Sequence, residues 1–281
     1  MTSETVTYTE TIYRSDSRPI WCPGCGNFAV LSATSKSFAD LALAPEEIVM
    51  VSGIGCSSRI PYLFRTYGLH GLHGRSIPLA TGVKLARPGL TVVVFGGDGD
   101  LLSIGTNHLV HAARRNVDIT VVLMDNQIYG LTKAQFSPTT VQGQVSRSSP
   151  YGKMEPALNP VLLALTVGAT FVARSFSGRP QQITDLLTAA IQHKGFSFLH
   201  VLSTCREWND RSAYYKEHAE DIYEGHDEKD LEASFRLALA QGKEYMGLFY
   251  RVQQPVYDEA SRHQVDATET FNLVQHLSRY K

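Results

Sequence analysis

The chain has almost no net charge: 26 Lys and Arg stand against 27 Asp and Glu over 281 residues, a balance of −1. Nothing in that balance draws the protein to nucleic acid or to an anionic membrane surface. Long apolar runs are missing as well. The longest, such as Thr91–Phe95, are strand-sized and far short of the ~20 residues that a membrane-spanning helix needs. The opening MTSETVTYTETIYRSDSRP has neither the basic nor the apolar region of a secretory signal, so a cytoplasmic protein is expected. Cysteine is scarce, with only Cys22, Cys25, Cys56 and Cys205. A cytosolic chain seldom spends so few cysteines on disulfides, which favours metal or redox use. No internal repeat or low-complexity tract is evident. What remains is the 43% hydrophobic and 19% charged content of a globular protein with a real core. Its length fits one large domain, or one domain with an appendage.

The organising stretch is Thr91–Thr132, TVVVFGGDGDLLSIGTNHLVHAARRNVDITVVLMDNQIYGLT. It predicts a strand over Thr91–Phe95, a glycine turn with two aspartates, a helix over about Leu101–Arg114 and a second strand over Ile119–Met124. A unit of this kind is a right-handed βαβ crossover with parallel strands. Asp98 and Asn126 then sit just past the two strands, at the carboxyl edge where open α/β sheets bind ligands. Gly96, Gly97 and Gly99 let backbone approach a phosphate closely, and the following helix points N–H groups at it. Asp98 would repel that phosphate unless a divalent cation lay between them. A carboxylate and the Asn126 amide oxygen are hard ligands suited to Mg²⁺. The spacing is not the G-x-G-x-x-G of a dinucleotide site.

Other predicted strands end at the same edge. Ile48–Ser52 runs into GIGCSSR (Gly53–Arg59), and Ser197–Ser203 runs into Thr204-Cys205. WCPGCGN (Trp21–Asn27) opens a helix with Phe28, Leu31, Phe38 and Leu41 largely on one face. Short helices are expected over Ile60–Tyr67, Ile77–Arg87 and Leu158–Val167, a strand over Thr170–Ala173 and a helix over Arg179–His193. Lys133–Pro156 reads as a long polar loop, of the kind that forms lids or partner surfaces. Three divisions follow: a polar arm over residues 1–20, an α/β core of parallel sheet flanked by helices over 21–205, and a charged, aromatic extension over 206–281. The extension should carry a helix near Glu228–Gln241 and a strand near Gly247–Val252, and wrap the core or a partner.

A common edge would bring the cysteines together. Cys-x-x-Cys plus two distant singletons makes a Cys₄ set that suits zinc or an iron–sulfur cluster. One pair with two singles leans toward the cluster, since structural zinc more often uses two knuckles. A thioredoxin-like use of Cys22 and Cys25 leaves the other two unexplained.

The GDG with twenty-six residues between Gly99 and Asn126 resembles the thiamine diphosphate motif, with Asp125 where the first of two asparagines is usual. That resemblance implies a Mg²⁺ site of Asp98, Asn126 and the Ile128 carbonyl. Further, WCPGCGN, GIGCSSR, LHGR, ATGVKLARP, GGDGD, DNQIYGLTKAQFSPTT and the cysteine in STC occur in one order. Together they resemble the β subunits of the 2-oxoacid:ferredoxin oxidoreductases, over about Trp21–Cys205. The family implies a thiamine diphosphate-binding fold and one [4Fe–4S] cluster held by Cys22, Cys25, Cys56 and Cys205. It also implies conversion of a 2-oxoacid and CoA to an acyl-CoA and CO₂, or the reverse, with electrons passed singly to ferredoxin. Residue by residue, the implied cofactor contacts are Ile54, Gly55, Cys56, Ser57, His73, Gly97, Gly99, Asp100, Gly130 and Leu131.

His73 is a donor to phosphate or substrate, or merely packs its loop; for His70 packing is preferred. Ser57 either touches cofactor or caps a turn. The resemblance is nearest to the 2-oxoglutarate members. Arg59 would then pair with the second substrate carboxylate, or else with a local Asp or the partner subunit; Lys133 is a second cation at the mouth. No motif offers the carboxylate that activates the aminopyrimidine, so an α subunit is expected to complete the site. The rivals are an enzyme for pyruvate or another 2-oxoacid, a simple thiamine-dependent decarboxylase, and a zinc-stapled α/β interaction protein.

Overall fold

The computed structural model describes residues 8–266 and 277–278. Strands β1 (Ile48–Ser52), β2 (Tyr67–His70), β3 (Thr91–Gly97), β4 (Thr120–Asp125), β5 (Phe171–Phe176), β6 (Ser197–Leu202), β7 (Ala219–Asp221) and β8 (Glu244–Arg251) form one sheet in the order β2-β1-β3-β4-β6-β5-β8-β7. From β2 to β5 all pairings are parallel; β8 runs antiparallel to β5. Alternate residues of each central strand feed opposite faces, as a period of two requires. Val92 and Val94 of β3 join the same apolar layer as Val49, Val51, Val121 and Leu123. Val93 and Phe95 join the other, with Met50, Val122 and Met124.

Both faces are covered, which is why the strands are apolar throughout. One layer takes α1 (Asn27–Asp40) and α5 (Pro180–Gln192) through Val30, Leu31, Phe38, Ile183 and Leu187. The other takes α2 (Ser76–Ala86), α3 (Thr106–Arg114) and α4 (Pro160–Thr166) through Ile77, Ala80, Leu109, Val161 and Leu165. Each such large aliphatic contributes about 1.5–3 kcal/mol when fully buried.

The strand order fixes where a ligand can bind. From β1 the chain moves to β2 at the sheet edge, then returns to β3 and proceeds the other way to β4. The reversal leaves a crevice between the carboxyl ends of β1 and β3, the switch point of an open α/β sheet.

Several expected elements differ. The single helix over Leu101–Arg114 is broken: Asp100–Ile104 is one π turn, Ser103 is non-helical (φ −104°, ψ −105°), and α3 starts at Thr106. The break lies where the loop after β2 comes closest. A Cβ on Gly74 would lie 2.5 Å from Ile104 Cγ2 and 2.7 Å from Gly105 N. The helix expected over Ile60–Tyr67 is a 3₁₀ segment, Ser57–Leu63, and Tyr67 instead opens the edge strand β2. Phe28 does not share the buried face of α1; it is 38% exposed and meets the Trp21 ring edge-on. The described part of the N-terminal arm lies on the chain's own core. Tyr13 is fully buried against Phe38, and its hydroxyl is shared between the Phe38 and Leu43 carbonyls at 3.0 and 2.7 Å. Beyond Cys205 comes the short helix α6 (Ser212–His218), then β8 lengthens the main sheet and α7 (Leu231–Leu239) packs on the α4 layer through Leu237 and Ala238. Residues 1–7, 267–276 and 279–281, which carry parts of the expected arm and extension, lie outside the described residues.

Candidate active site

A cavity of about 530 Å³ opens at the switch point. Its walls are the ends of β1, β3 and β4, because parallel strands deliver their following turns to one edge. Ile54, Gly55, Cys56 and Ser57 come from the turn after β1, and His73 from the loop after β2. Gly97, Asp98, Gly99 and Asp100 come from the turn after β3, and Asn126, Ile128, Gly130 and Leu131 from the segment after β4. The cofactor contacts and Mg²⁺ ligands expected above therefore share one cavity. Arg59 does not line it. The Arg59 guanidinium lies close enough to Cys56 to act against the rise of its thiol pKa, which burial and the Cys205 and Cys22 thiols cause.

The floor is a buried pair of acids. Asp98 and Asp125 are 2% and 1% exposed, and Thr139 Oγ1 lies 2.8 Å from an oxygen of each. The Thr139 hydroxyl has one hydrogen to offer the two carboxyls, so it bridges a pair that shares one donor. Burial drives both acids above the usual carboxylate range, and Asp125 adds like-charge repulsion at Asp98. Behind them, burial and Arg174 hold His200 well below the usual histidine range, so a neutral ring donates from Nε2 to Asp125 at 2.9 Å. Asn126 closes a local turn, accepting the Ile128 N–H at 3.0 Å, while its carbonyl accepts from Asn209 Nδ2 at 2.9 Å.

A divalent cation fits this floor. The donors are a carboxylate, an amide oxygen and a carbonyl, which suit Mg²⁺ completed by phosphate oxygens and water. The cation would also relieve the cost of a buried, repelled carboxylate. Above the floor the backbone has no room for side chains: a Cβ on Gly99 would fall 2.3 Å from the Tyr129 ring, whose hydroxyl donates to the Gly99 carbonyl at 3.0 Å.

The cysteine-bearing segments are tied together beside the cavity. Gly26 N–H donates to Thr204 O at 3.1 Å, joining the Cys22–Cys25 loop to the segment of Cys205. Trp21 Nε1 donates to Cys56 O at 2.7 Å, joining it to the turn after β1. A Cβ on Gly130 would sit 3.5 Å from Cys205 Sγ, so that thiol borders the cavity segment after β4. Burial pushes the Cys25 thiol up to about 11, and repulsion from Cys205, Cys56 and Cys22 adds to it. Among the described residues no three Cys, His, Asp or Glu side chains are grouped to hold a single metal ion. The mutual repulsion of the thiols shows that the four cysteines face one region beside the cavity.

Sequence reasoning missed Tyr129, Thr132, Gln135 and the Thr139 bridge. Tyr129 follows Ile128 in the motif and could have been read from it. Thr139 carries no signal, because its role depends on how the loop after Lys133 folds back.

Comparison with known proteins agrees with this geometry. Residues 53–201 match the family model "Thiamine pyrophosphate enzyme, C-terminal TPP binding domain". Residues 205–265 match the family model for the C-terminal part of the pyruvate ferredoxin oxidoreductase beta subunit. The chain is 39% identical to the 2-oxoglutarate oxidoreductase subunit KorB of Mycobacterium tuberculosis, over 91% of this chain and 81% of that one. It is 40% identical to the 2-oxoglutarate synthase subunit KorB of Methanocaldococcus jannaschii, over 88% of this chain and 93% of the relative. A solved structure of 2-oxoglutarate:ferredoxin oxidoreductase from Magnetococcus marinus superposes with a TM-score of 0.92 at 40% identity, covering 98% of this chain and 96% of that one. Fold and site together define a thiamine diphosphate-binding α/β enzyme subunit. More narrowly, the chain belongs to the family of 2-oxoglutarate:ferredoxin oxidoreductase β subunits.

Proposed function

We propose that this chain is the thiamine- and cluster-bearing half of an enzyme that converts 2-oxoglutarate and CoA to succinyl-CoA and CO₂, or runs the reverse carboxylation, exchanging electrons with ferredoxin. The observation that carries the reading is the position of Cys56. It lines the cofactor cavity and is bound through its carbonyl to the Cys-x-x-Cys loop, so an electron donor and an electron acceptor would share one wall. The Magnetococcus marinus relative was solved with 2-oxoglutarate, coenzyme A and succinyl-CoA bound, which supports the choice of substrate.

Asp98, Asn126 and the Ile128 carbonyl would hold Mg²⁺ and, through it, the diphosphate; Cys22, Cys25, Cys56 and Cys205 would hold one [4Fe–4S] cluster. The bound cofactors supply an electron sink at the keto carbon and a one-electron acceptor. This chain's part is to anchor, orient and exclude water. Gly97 and Gly99 admit the diphosphate, Ile54–Ser57 and Gly130–Leu131 form the walls, and His73 offers a ring nitrogen to the reacting oxygens. Arg59 stands off the cavity wall beyond Cys56, from where it would act as the cation for the distal carboxylate of 2-oxoglutarate, which pyruvate lacks.

Membership of a β-subunit family supports an α subunit, which would supply the activating carboxylate. The test is CoA-dependent dye reduction by the complex with its α partner, prepared without oxygen, on 2-oxoglutarate, pyruvate and a branched 2-oxoacid in parallel. Preference for 2-oxoglutarate with stoichiometric iron upholds the reading. Preference for pyruvate overturns the substrate, and colourless, zinc-loaded protein overturns the redox role.

A further inference from the structure

The loop after β2 and the turn after β3 meet in a contact whose consequence is chemical. His73 Nδ1 lies 2.8 Å from Asp100 Oδ1. That same oxygen accepts Gly74 N–H at 2.7 Å and Ile54 N–H at 3.0 Å. Two backbone donors already point at Oδ1, so it is an acceptor, and a third partner there must be a donor too. The hydrogen of a neutral His73 ring is therefore on Nδ1, and Nε2 carries the lone pair.

Placement of the carboxylate is built into the backbone. The Asp100 side chain is 1% exposed, whereas His73 is 38% exposed and lines the cavity. A Cβ on Gly53 would fall 2.1 Å from Asp100 Oδ2, and one on Gly96 3.0 Å from it, so two glycines leave the room that the carboxylate occupies. On its other side the His73 ring packs against Tyr129, with centroids 6.1 Å apart. The ring is thus held by a hydrogen bond and by an aromatic neighbour.

We propose that Asp100 is a positioning residue for His73: it fixes the Nδ1–H tautomer and turns Nε2 to the cavity as the atom that takes and returns a proton at an oxygen of the bound 2-oxoacid. A proton taken at Nε2 makes the ring a cation whose counter-charge is the buried carboxylate. Its return to oxygen restores the neutral ring, so the pair ends each cycle unchanged. The proposal rests on the cavity being the cofactor site argued above.

Neither a Gln nor an Asn amide can take a proton, so in the complex with the α subunit His73→Gln and His73→Asn should each lose about 100-fold in kcat, within the range for general acid–base groups. Asp100→Asn can still accept both backbone N–H groups, so it should fold and bind thiamine diphosphate within about threefold of wild type. Its kcat should fall about tenfold or more with KM little changed, and combining it with His73→Asn should add less than about a further threefold, as for residues acting as one unit.

A second measurement needs no turnover. Nitrogen-15 spectra of the histidine-labelled, cofactor-free complex, with His73 assigned by its loss in His73→Gln, should show a protonated Nδ1 and a lone pair on Nε2. The opposite tautomer, a kcat within about threefold of wild type in His73→Gln, or multiplying losses in the double variant would each overturn the proposal. If the wild-type complex turns over no 2-oxoacid, the functional reading fails instead, and the nitrogen spectrum still decides the Asp100 contact.

Discussion

Single residues in this chain are read best by what their partners do to them. Asp118 shows the rule away from the active site. Burial pushes its carboxyl up, but hydrogen bonds from Lys194 at 2.7 Å and Lys84 at 2.8 Å outweigh this and hold it below the usual carboxylate range. A lowered native pKa contributes stability that is fully present above the unfolded value of about 4 and lost as pH falls through the native one. Asp118→Asn should therefore cost about 3–5 kcal/mol at pH 7, the range for removing one partner of a buried pair. The difference in melting temperature from wild type should shrink as pH drops below about 4; a gap that stays constant with pH would refute the linkage. Arg59 carries the specificity prediction. Arg59→Ala should raise KM for 2-oxoglutarate about tenfold or more, the worth of hydrogen bonds to a charged group, and leave pyruvate kinetics unchanged. Equal effects on both substrates would assign Arg59 to Cys56 or to the partner subunit instead.

At the scale of elements, the site is made by connections more than by strands. The Cys22–Cys25 loop reaches the carboxyl edge because Gly26 approaches β6's exit without a side chain. A Cβ there would fall 2.7 Å from Thr204 N and 2.8 Å from Ser203 Oγ. Since Thr204 N is backbone, the clash cannot be relieved by a rotamer change. Gly26→Ala keeps every thiol, yet it should lower iron content from about four per chain to well under two while the fold by circular dichroism is retained. Full iron loading in Gly26→Ala would show that this approach is not what sets the cysteine geometry. The loop after Lys133 works in the opposite sense to a free lid. Thr139 and Thr140 are buried, and Lys153 Nζ ties the loop back through the Pro138 and Thr140 carbonyls at 3.0 and 2.8 Å. Its outer part still presents Val145, Tyr151 and Met154, so one segment both braces the Asp98 floor and offers an apolar surface.

For the whole molecule, the question is what covers the edge beside the cavity. Strand β2 is exposed along its length, and Tyr62, Tyr67, Leu72 and Leu79 expose 53, 59, 74 and 41% of their surface nearby. A bare parallel edge with apolar neighbours is a pairing surface that folded proteins rarely leave open. It lies next to His73, where an α subunit would need to stand to complete the site. Leu72→Asp should release β from the α subunit on gel filtration and abolish turnover, while the separated chain still binds thiamine diphosphate. Assembly of unchanged size and activity would move the interface elsewhere. No described helix is long and apolar enough to cross a membrane.

Sequence alone determined the parts of this protein that depend on local periodicity and local chemistry. The apolar runs marked the central strands, and the glycine turns and their aspartate, asparagine and cysteine marked the carboxyl edge, because such turns need those residue types wherever the chain goes next. Even the ordered run of motifs was enough to name the family. Tertiary structure decided what depends on contacts between distant segments. It broke the helix after Asp100 where the Gly74 backbone comes close to Ile104 and Gly105, and it kept Arg59 off the cavity wall. It turned Tyr67–His70 into a strand by pairing it with β1, and it set Thr139 between two carboxylates that lie far from it in sequence. Hydrogen-bond partners brought together by folding leave no mark on local composition, and for that reason the Asp100–His73 contact could be found only in the folded chain.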